Sequence, residues 1–200
     1  YENVFKLEPG CLLTLDLREG NFDPRIEKYW RLDEFVNQPG LSFGSDEEAL
    51  LELERLLKKS IAGQMHADVP LGAFLSGGVD SSLIVAVMQK LDSRKVKTFS
   101  MGFEDERYNE APYARDVAKH LKTDHREYIV TAQDALEVIP KLAMIYDEPF
   151  ADSSQIPTYL VSALAKKEVT VALSGDGGDE LFHGYKRYNR AESRYNQFNK

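Results

Sequence analysis

Twice along this chain, a short apolar run leads directly into a glycine-rich turn and then into a helical pattern. The runs are Leu71–Leu75 and Val169–Leu173, and the turns are residues 76–82 (SGGVDSS) and residues 174–180 (SGDGGDE). Strands that alternate with helices in this way predict a parallel sheet with right-handed crossovers. Ligands of such sheets bind at the carboxyl ends of the strands. We therefore expect the two turns to be neighbours in space, although they lie far apart in the sequence.

Two further apolar segments complete the alternating pattern. Val96–Met101 and Glu127–Val130 are predicted strands, and helical patterns separate them from their neighbours. The predicted strands are short and almost entirely apolar, which is typical of a sheet that is covered on both faces. The sequence therefore predicts an α/β fold with a doubly wound parallel sheet. Ser45 and Glu48 have the spacing of a capping box and predict the start of a helix before this sheet.

The beginning of the chain has a different pattern. The stretch FKLEPGCLLTLDL alternates loosely around Pro9 and Gly10, which predicts two short strands joined by a turn. A polar loop is expected from Arg18 to Lys28, and Pro and Gly residues cluster between positions 36 and 44. We therefore expect two parts, residues 1–35 and residues 45–200.

The composition excludes several classes of protein. The 200 residues are 42% hydrophobic and 29% charged, which is too apolar for a disordered chain. The formal net charge of −8 argues against a nucleic-acid binder, which normally presents a basic face. No apolar run approaches the roughly 20 residues that cross a bilayer, so we expect no membrane span. A single cysteine, Cys11, predicts a reducing, cytoplasmic compartment.

The first glycine-rich turn has the chemistry of an anion site. Its glycines let the backbone approach a ligand closely, and the free N–H groups of the following helix attract phosphate. Asp80 would repel a bare phosphate, so its position indicates Mg²⁺ between carboxylate and phosphate oxygens. The turn lacks the Gly-Lys-Ser/Thr of a P-loop and the G-x-G-x-x-G of a dinucleotide site. The alternative is an ordinary strand-to-helix turn that Asp80 and Ser81 cap.

The second glycine-rich turn concentrates negative charge. Asp176, Asp179 and Glu180 lie within five residues of one another and would repel unless a cation or a donor lies among them. Together with Asp80 they predict an oxygen-only Mg²⁺ site that phosphate oxygens complete. The alternative is a solvated turn of Asp and Gly.

A polar stretch between residues 147 and 154 precedes a predicted helix over residues 157–167. Ser153 or Ser154 could cap that helix, or the stretch could line a pocket for an acidic substrate at the same end of the sheet. The sequence leaves both interpretations open.

The two turns carry a family resemblance. SGGxDS between a strand and a helix resembles the pyrophosphate loop of the PP-loop ATP pyrophosphatase superfamily. Followed by SG-(Glu/Asp)-G-x-Asp-Glu, it is similar to the synthetase domain of the glutamine-dependent asparagine synthetases, whose relatives include the β-lactam synthetases. The segments ADVPLGAFLSGGVDSS and YDEPFADSSQIPTYLVS also resemble that family. KLEPGCLLTLD resembles the closing strands of the glutaminase domain, so residues 1–35 are expected to be a short β remnant of it.

The resemblance implies an activity and its partners. An aspartate carboxylate would attack the α-phosphorus of ATP, giving β-aspartyl-AMP and pyrophosphate, and ammonia from glutamine would then displace AMP. The expected cofactors are ATP and Mg²⁺, and the expected partner is a glutaminase domain of the same full-length chain. A homodimer is a further expectation.

The resemblance also implies roles for individual residues. Asp80 and Asp179 would hold Mg²⁺, and Asp176 would assist formation of the intermediate and attack by ammonia. Pyrophosphate would bind to six residues of the first turn: Ser76, Gly77, Gly78, Asp80, Ser81 and Ser82. The adenosine pocket would be lined by four residues: Leu75, Met101, Ser174 and Gly175.

Two departures from the family pattern leave alternatives open. The best-known asparagine synthetases have Glu where this chain has Asp176, which bears on the product more than on adenylylation. A related amidotransferase or a β-lactam-synthetase-like enzyme that adenylylates another carboxylate is therefore the alternative. The chain begins at Tyr1 without the N-terminal cysteine of a glutaminase, so we expect a cut through a two-domain enzyme. Such a fragment could bind ATP without turnover.

Overall fold

The computed structural model describes residues 2–18, 23–107 and 109–198. The chain divides into two compact units, Tyr1–Ala49 and Leu50–Lys200. Its strands and helices follow in this order: β1 (Cys11–Thr14), β2 (Arg25–Lys28), α1 (Leu32–Val36), α2 (Asp46–Gln64), β3 (Leu71–Phe74), α3 (Val79–Leu91), β4 (Lys97–Phe103), α4 (Ala111–Leu121), β5 (Asp124–Val130), α5 (Ala132–Ile145), α6 (Gln155–Ala165), β6 (Val171–Leu173), α7 (Gly178–Phe182) and α8 (Lys186–Phe198).

The first unit contains an antiparallel pair of strands. β1 pairs with β2 in a register that sets Cys11 opposite Lys28, and the N–H of Tyr29 donates to the carbonyl oxygen of Gly10 at 2.8 Å. Of the two strands predicted around the Pro9-Gly10 turn, the one after the turn is confirmed as β1. The one before it was wrong, because residues 4–8 have no strand and the partner β2 comes from the expected polar loop. The sequence RIEK of β2 is mostly charged, so only its pairing with β1 identifies it as a strand.

The start of α2 is close to the predicted capping box. Ser45 Oγ accepts the N–H of Glu48 at 3.3 Å, as the pattern requires. The Glu48 carboxylate accepts the N–H of Gly44 at 2.8 Å rather than that of Ser45, so the reciprocal bond is shifted by one residue. The helix therefore begins where the sequence placed it.

The second unit is built on a four-stranded parallel sheet with the order β5-β4-β3-β6. β3 lies in the middle, paired with β4 on one side and with β6 on the other. The strand order therefore reverses between β3 and β6, which is the position where open α/β sheets bind ligands. The predicted parallel sheet is confirmed.

Helices cover both faces of this sheet. On one face, Ala73 of β3 packs with Val85 and Met88 of α3 and with Ala114 and Ala118 of α4. The other face carries a second core, in which the ring of Phe99 is fully buried against α6. Adjacent strand residues point to opposite faces, so one short strand serves both cores. The doubly wound α/β class is confirmed.

In the part of the chain that the structure describes, no helix has both the length and the apolar character that crossing a membrane requires.

Candidate functional site

The first turn joins β3 to α3 and is held together by its own serines. Ser81 is buried, and its Oγ lies 2.9 Å from Ser76 Oγ, accepts the N–H of Ser76 at 3.2 Å and donates to the carbonyl oxygen of Gly78 at 3.3 Å. The N–H of Gly78 donates to Ser76 Oγ at 3.2 Å. α3 begins with Val79, so its first N–H groups open at the carboxyl end of β3.

The second turn lies directly against the first. A Cβ atom on Gly175 would lie 2.7 Å from the backbone nitrogen of Ser81, and one on Gly178 would lie 2.5 Å from the Asp80 carboxylate carbon. At Gly175 the atoms in the way are backbone atoms, so the close approach of the two turns requires glycine there, whereas at Gly178 a Cβ would displace the Asp80 side chain. The prediction that the turns are neighbours in space is confirmed.

A cavity of about 890 Å³ opens where the two turns meet. It extends from the turns along the carboxyl end of β4 to the first part of α6. Ten of the residues that the sequence singled out line this cavity: Leu75, Ser76, Gly78, Asp80, Ser81, Met101, Ser174, Gly175, Asp176 and Asp179.

Two of the predicted pyrophosphate residues lie outside this lining. Gly77 has a φ of +82°, and a Cβ there would lie 2.6 Å from the nitrogen of Ala114, so this glycine lets the turn pack against α4. Ser82 Oγ is buried and has no hydrogen-bond partner among the described residues. Because Ser82 follows Ser81 on a helix, its side chain points about 100° away from that of Ser81.

The charge of the cavity is negative. Among the described residues that line it, the ionisable side chains are all carboxylates, namely Asp80, Glu110, Asp176 and Asp179. A polyphosphate would be repelled unless it entered with cations. The N-terminus of α3 supplies N–H donors and a favourable dipole to the same wall. This donor set suits a divalent cation together with phosphate, and not an isolated anion.

The carboxylates do not form a complete metal cage. In the described ranges, no three His, Cys, Asp or Glu side chains come close enough together to hold a metal ion. Mg²⁺ commonly takes only one or two carboxylates and completes its shell with water and substrate phosphates. Asp80 and Asp179, on opposite turns of one cavity, fit that mode of binding.

The second turn orients its carboxylates by local contacts. Asp176 is exposed, and its Oδ2 accepts the hydroxyl of Ser174 at 3.0 Å. Asp179 contacts Gly184, whose N–H donates to the carbonyl oxygen of Asp179 at 2.9 Å. On the far side of this turn, a smaller cavity of about 230 Å³ lies against α2 and α3, and Asp176 borders that cavity as well.

The sequence did not single out part of the lining. Glu110 immediately precedes α4, and Phe103 ends β4. The first turn of α6 contributes Pro157 and Thr158. The signal that could have found them is position, since each of them lies at or just beyond a strand's carboxyl end or at the helix that faces it.

The polar stretch before α6 lies partly at this cavity. α6 begins at Gln155, with Ser154 as its N-cap residue, and Ser154 lines the cavity. No side-chain hydrogen bond caps this helix, so the capping expected from Ser153 or Ser154 is not found among these described residues. Instead, Asp152 Oδ1 accepts the N–H of Ser154 at 2.8 Å, and this bond lowers the pKa of the exposed carboxyl.

A polar network lies within the α4 side of the sheet. His125 Nδ1 lies 2.9 Å from Thr98 Oγ1, and its Nε2 lies 3.2 Å from Ser100 Oγ. Burial lowers the pKa of His125, since it disfavours the imidazolium. Glu127 acts in the opposite direction, and Arg115 and Arg126 add to the lowering.

Comparison with known proteins places this arrangement in a family. Residues 52–200 match the asparagine synthase family. The chain belongs to that family. The match includes both glycine-rich turns and every strand of the parallel sheet.

Named relatives agree with this assignment. The chain is 46% identical over 186 residues to a Methanocaldococcus jannaschii protein provisionally named glutamine-hydrolysing asparagine synthetase 2, covering 92% of the chain and 35% of the relative. It is 36% identical to the glutamine-hydrolysing asparagine synthetase 1 of Bacillus subtilis, covering 93% of the chain and 28% of the relative. The chain thus spans about a third of the length of the curated relatives that it matches.

The solved structures that resemble the chain are more distant. An NH₃-dependent NAD synthetase from Campylobacter jejuni aligns with a TM-score of 0.46 at 15% identity, covering 68% of this chain and 60% of that one. An NMN synthetase from Francisella tularensis aligns with a TM-score of 0.45 at 18% identity, covering 72% of this chain and 59% of that one.

Proposed function

We propose that this chain carries the nucleotide site of an ATP-dependent ligase that forms asparagine from aspartate and ammonia derived from glutamine. The observation that carries the proposal is the meeting of the two glycine-rich turns in one carboxylate-lined cavity, in a member of the asparagine synthase family. The asparagine synthetase names of its relatives support the same product.

In this proposal, different parts of the cavity bind the two ends of the nucleotide. Ser76, Gly78 and the N-terminal N–H groups of α3 face the pyrophosphate end of ATP. Leu75 and Met101 line the adenosine end, where the strands finish. Ser81 holds the first turn in shape, as its three contacts indicate. Donors that are fixed before the reaction stabilise developing charge without having to reorganise.

Asp80 and Asp179 would hold Mg²⁺. When bound, the ion would neutralise phosphate charge, which this lining of carboxylates cannot do by itself. The carboxylates that do not bind the ion keep the cavity selective against anions that arrive without a cation.

The proposed reaction has two displacements. A carboxylate oxygen of aspartate attacks the α-phosphorus of ATP, and the bond from that phosphorus to the bridging oxygen breaks to release pyrophosphate. Ammonia then attacks the acyl carbon of β-aspartyl-AMP, the bond to the AMP oxygen breaks, and the nitrogen loses a proton. Asp176 is an exposed carboxylate of the second turn that lines the cavity, and it would accept that proton.

The test is product analysis on the protein as its gene encodes it. With Mg²⁺-ATP, aspartate and either ammonia or glutamine, we expect equal amounts of AMP, pyrophosphate and asparagine. Production of ADP and phosphate would contradict the proposal. A glutaminase domain on the same polypeptide would be indicated by activity with glutamine, and a homodimer by sedimentation at twice the chain mass.

One observation favours a second candidate. Asp176 is one methylene shorter than the Glu that the resemblance implies, which leaves room for a different carboxylic acid or nucleophile. A related amidotransferase or a β-lactam-synthetase-like enzyme would release pyrophosphate with another acid and leave aspartate unused. Binding of ATP without release of pyrophosphate from any acid would instead indicate a binding module.

A further inference from the structure

The side chain of Ser174 forms two hydrogen bonds with Asp176. Its hydroxyl donates to Asp176 Oδ2 at 3.0 Å, and its Oγ accepts the N–H of Asp176 at 3.4 Å. A serine hydroxyl has a single hydrogen to donate. While that hydrogen points at Asp176, the Ser174 side chain cannot donate to the ribose or the base of a nucleotide.

The position of Asp176 explains why such a contact matters. Its carboxylate is exposed and borders both the large cavity and the smaller one behind the turn. An exposed carboxylate with two open sides has several rotamers of similar energy. Ser174 is half-buried at the end of β6, so its hydroxyl is a fixed reference point for the carboxylate. A hydrogen bond to a charged group is among the stronger ones in proteins.

We propose that Ser174 is a positioning residue, whose hydroxyl holds the Asp176 carboxylate in one orientation at the cavity wall. The inference rests on the proposed function, in which Asp176 takes the proton of the attacking ammonia. It separates Ser174 from the other three residues expected in the adenosine pocket, Leu75, Met101 and Gly175. The contribution of Ser174 is then to turnover and not to the affinity for ATP.

The experiment compares Ser174→Ala and Ser174→Thr with the wild-type protein, as its gene encodes it. Calorimetry gives the dissociation constant of Mg²⁺ with a non-hydrolysable ATP analogue, and amide formation gives kcat. We expect Ser174→Ala to bind the analogue within about twofold of wild type and to lower kcat about tenfold. Ser174→Thr keeps the hydroxyl, so we expect its kcat to stay within about threefold of wild type.

A double-mutant cycle makes the test stricter. In an Asp176→Ala background, the Ser174 hydroxyl has no carboxylate to hold, so adding Ser174→Ala should change the residual rate less than twofold. A tenfold loss in that background, or a weaker affinity for the analogue in Ser174→Ala alone, overturns the inference and leaves the proposed function intact. Wild-type protein that releases no pyrophosphate with any acid overturns the proposed function, and the inference with it.

Discussion

The two glycine-rich turns follow adjacent strands of one sheet, but they are built in different ways. Hydrogen bonds of the buried Ser81 hold the first turn together, and the turn leads directly into the 13-residue helix α3. The second turn passes into α7, which has only 5 residues, and its Asp176 is exposed. The first turn is fixed by internal hydrogen bonds, whereas the carboxylates of the second turn are positioned by a few local contacts.

The difference in structure suggests that the two turns have different roles in the reaction. A turn whose donors are fixed by the fold suits the binding of a group that leaves as an anion, since those donors need no reorganisation. A turn that carries exposed carboxylates suits proton transfer and cation binding, which require charge near the reacting atoms. Substitutions in the two turns should therefore affect different measurements.

The largest effect is expected where the turns touch. In Gly175→Ala, the new Cβ would meet the nitrogen of Ser81 at 2.7 Å and the carbonyl carbon of Asp80 at 3.1 Å, both of them backbone atoms that cannot move aside. We expect the rate of pyrophosphate release to fall by at least about 100-fold, because misplacement by about 1 Å has that cost. The matched control is Gly63→Ala in α2, where the new Cβ meets nothing within 4 Å. Equal rates in the two variants would contradict the close approach.

Gly178→Ala should raise the Mg²⁺ concentration that the reaction requires. Its Cβ would lie 2.5 Å from the Asp80 carboxylate carbon, so the side chain of Asp80 must turn away. We expect the Mg²⁺ concentration for half-maximal rate to rise about tenfold, as for loss of a supporting contact at a metal site. Gly177→Ala is the comparison, since its Cβ meets open space and its cost is the strain of a φ of +89°. An unchanged Mg²⁺ titration in Gly178→Ala would remove Asp80 from the proposed site.

Ser81→Ala should lower the stability of the protein, which would distinguish the first turn from the second. Removing the buried hydroxyl leaves the carbonyl oxygen of Gly78 and the N–H of Ser76 without this partner. We expect the free energy of unfolding to fall by about 1–2 kcal/mol in urea titrations. Ser93→Ala, at an exposed position after α3, should change it by less than about 0.5 kcal/mol. Equal changes would mean that Ser81 does not brace the turn.

The smallest expected effect is a pH dependence of folding stability, which arises from a residue of the sheet and not from either turn. Burial lowers the pKa of His125 below its ordinary value of 6.5, so the unfolded chain binds more protons than the folded one between the two values. Stability that is present above about pH 6.5 should therefore be lost as the pH falls toward the folded-state pKa. Urea titrations at pH 7.5 and 5.5 should show a larger loss in the wild type than in His125→Gln. The same loss in both proteins would assign the dependence to other groups.

Much of this site could be predicted from the pattern of the chain. The apolar runs before each turn identified the neighbouring strands β3 and β6, because parallel strands with covered faces have few polar residues. The meeting of Asp80 and Asp176 at one cavity follows from that topology. Local sequence patterns were enough to predict this part of the site because the strand, turn and helix patterns all indicate the same fold.

Other features depend on tertiary contacts that no local pattern reveals. β2 is a strand only because it pairs with β1. Ser82 lies outside the cavity lining because it follows Ser81 within α3, which turns its side chain about 100° away. Glu110 reached the cavity because α4 starts beside the end of β4. The bond between Ser174 and Asp176 depends on rotamers, which the sequence does not specify.

The central claim is that both turns serve one site for Mg²⁺-ATP, and a thermodynamic cycle between Asp80 and Asp179 tests it most directly. Calorimetry would give the affinity of a non-hydrolysable ATP analogue for the wild type, Asp80→Ala, Asp179→Ala and the double variant, with and without Mg²⁺. We expect each single variant to weaken Mg²⁺-dependent binding about tenfold and the double variant to lose clearly less than the product of the two, because both carboxylates would hold one ion. Full affinity in either single variant, or losses that multiply independently, would contradict a shared site.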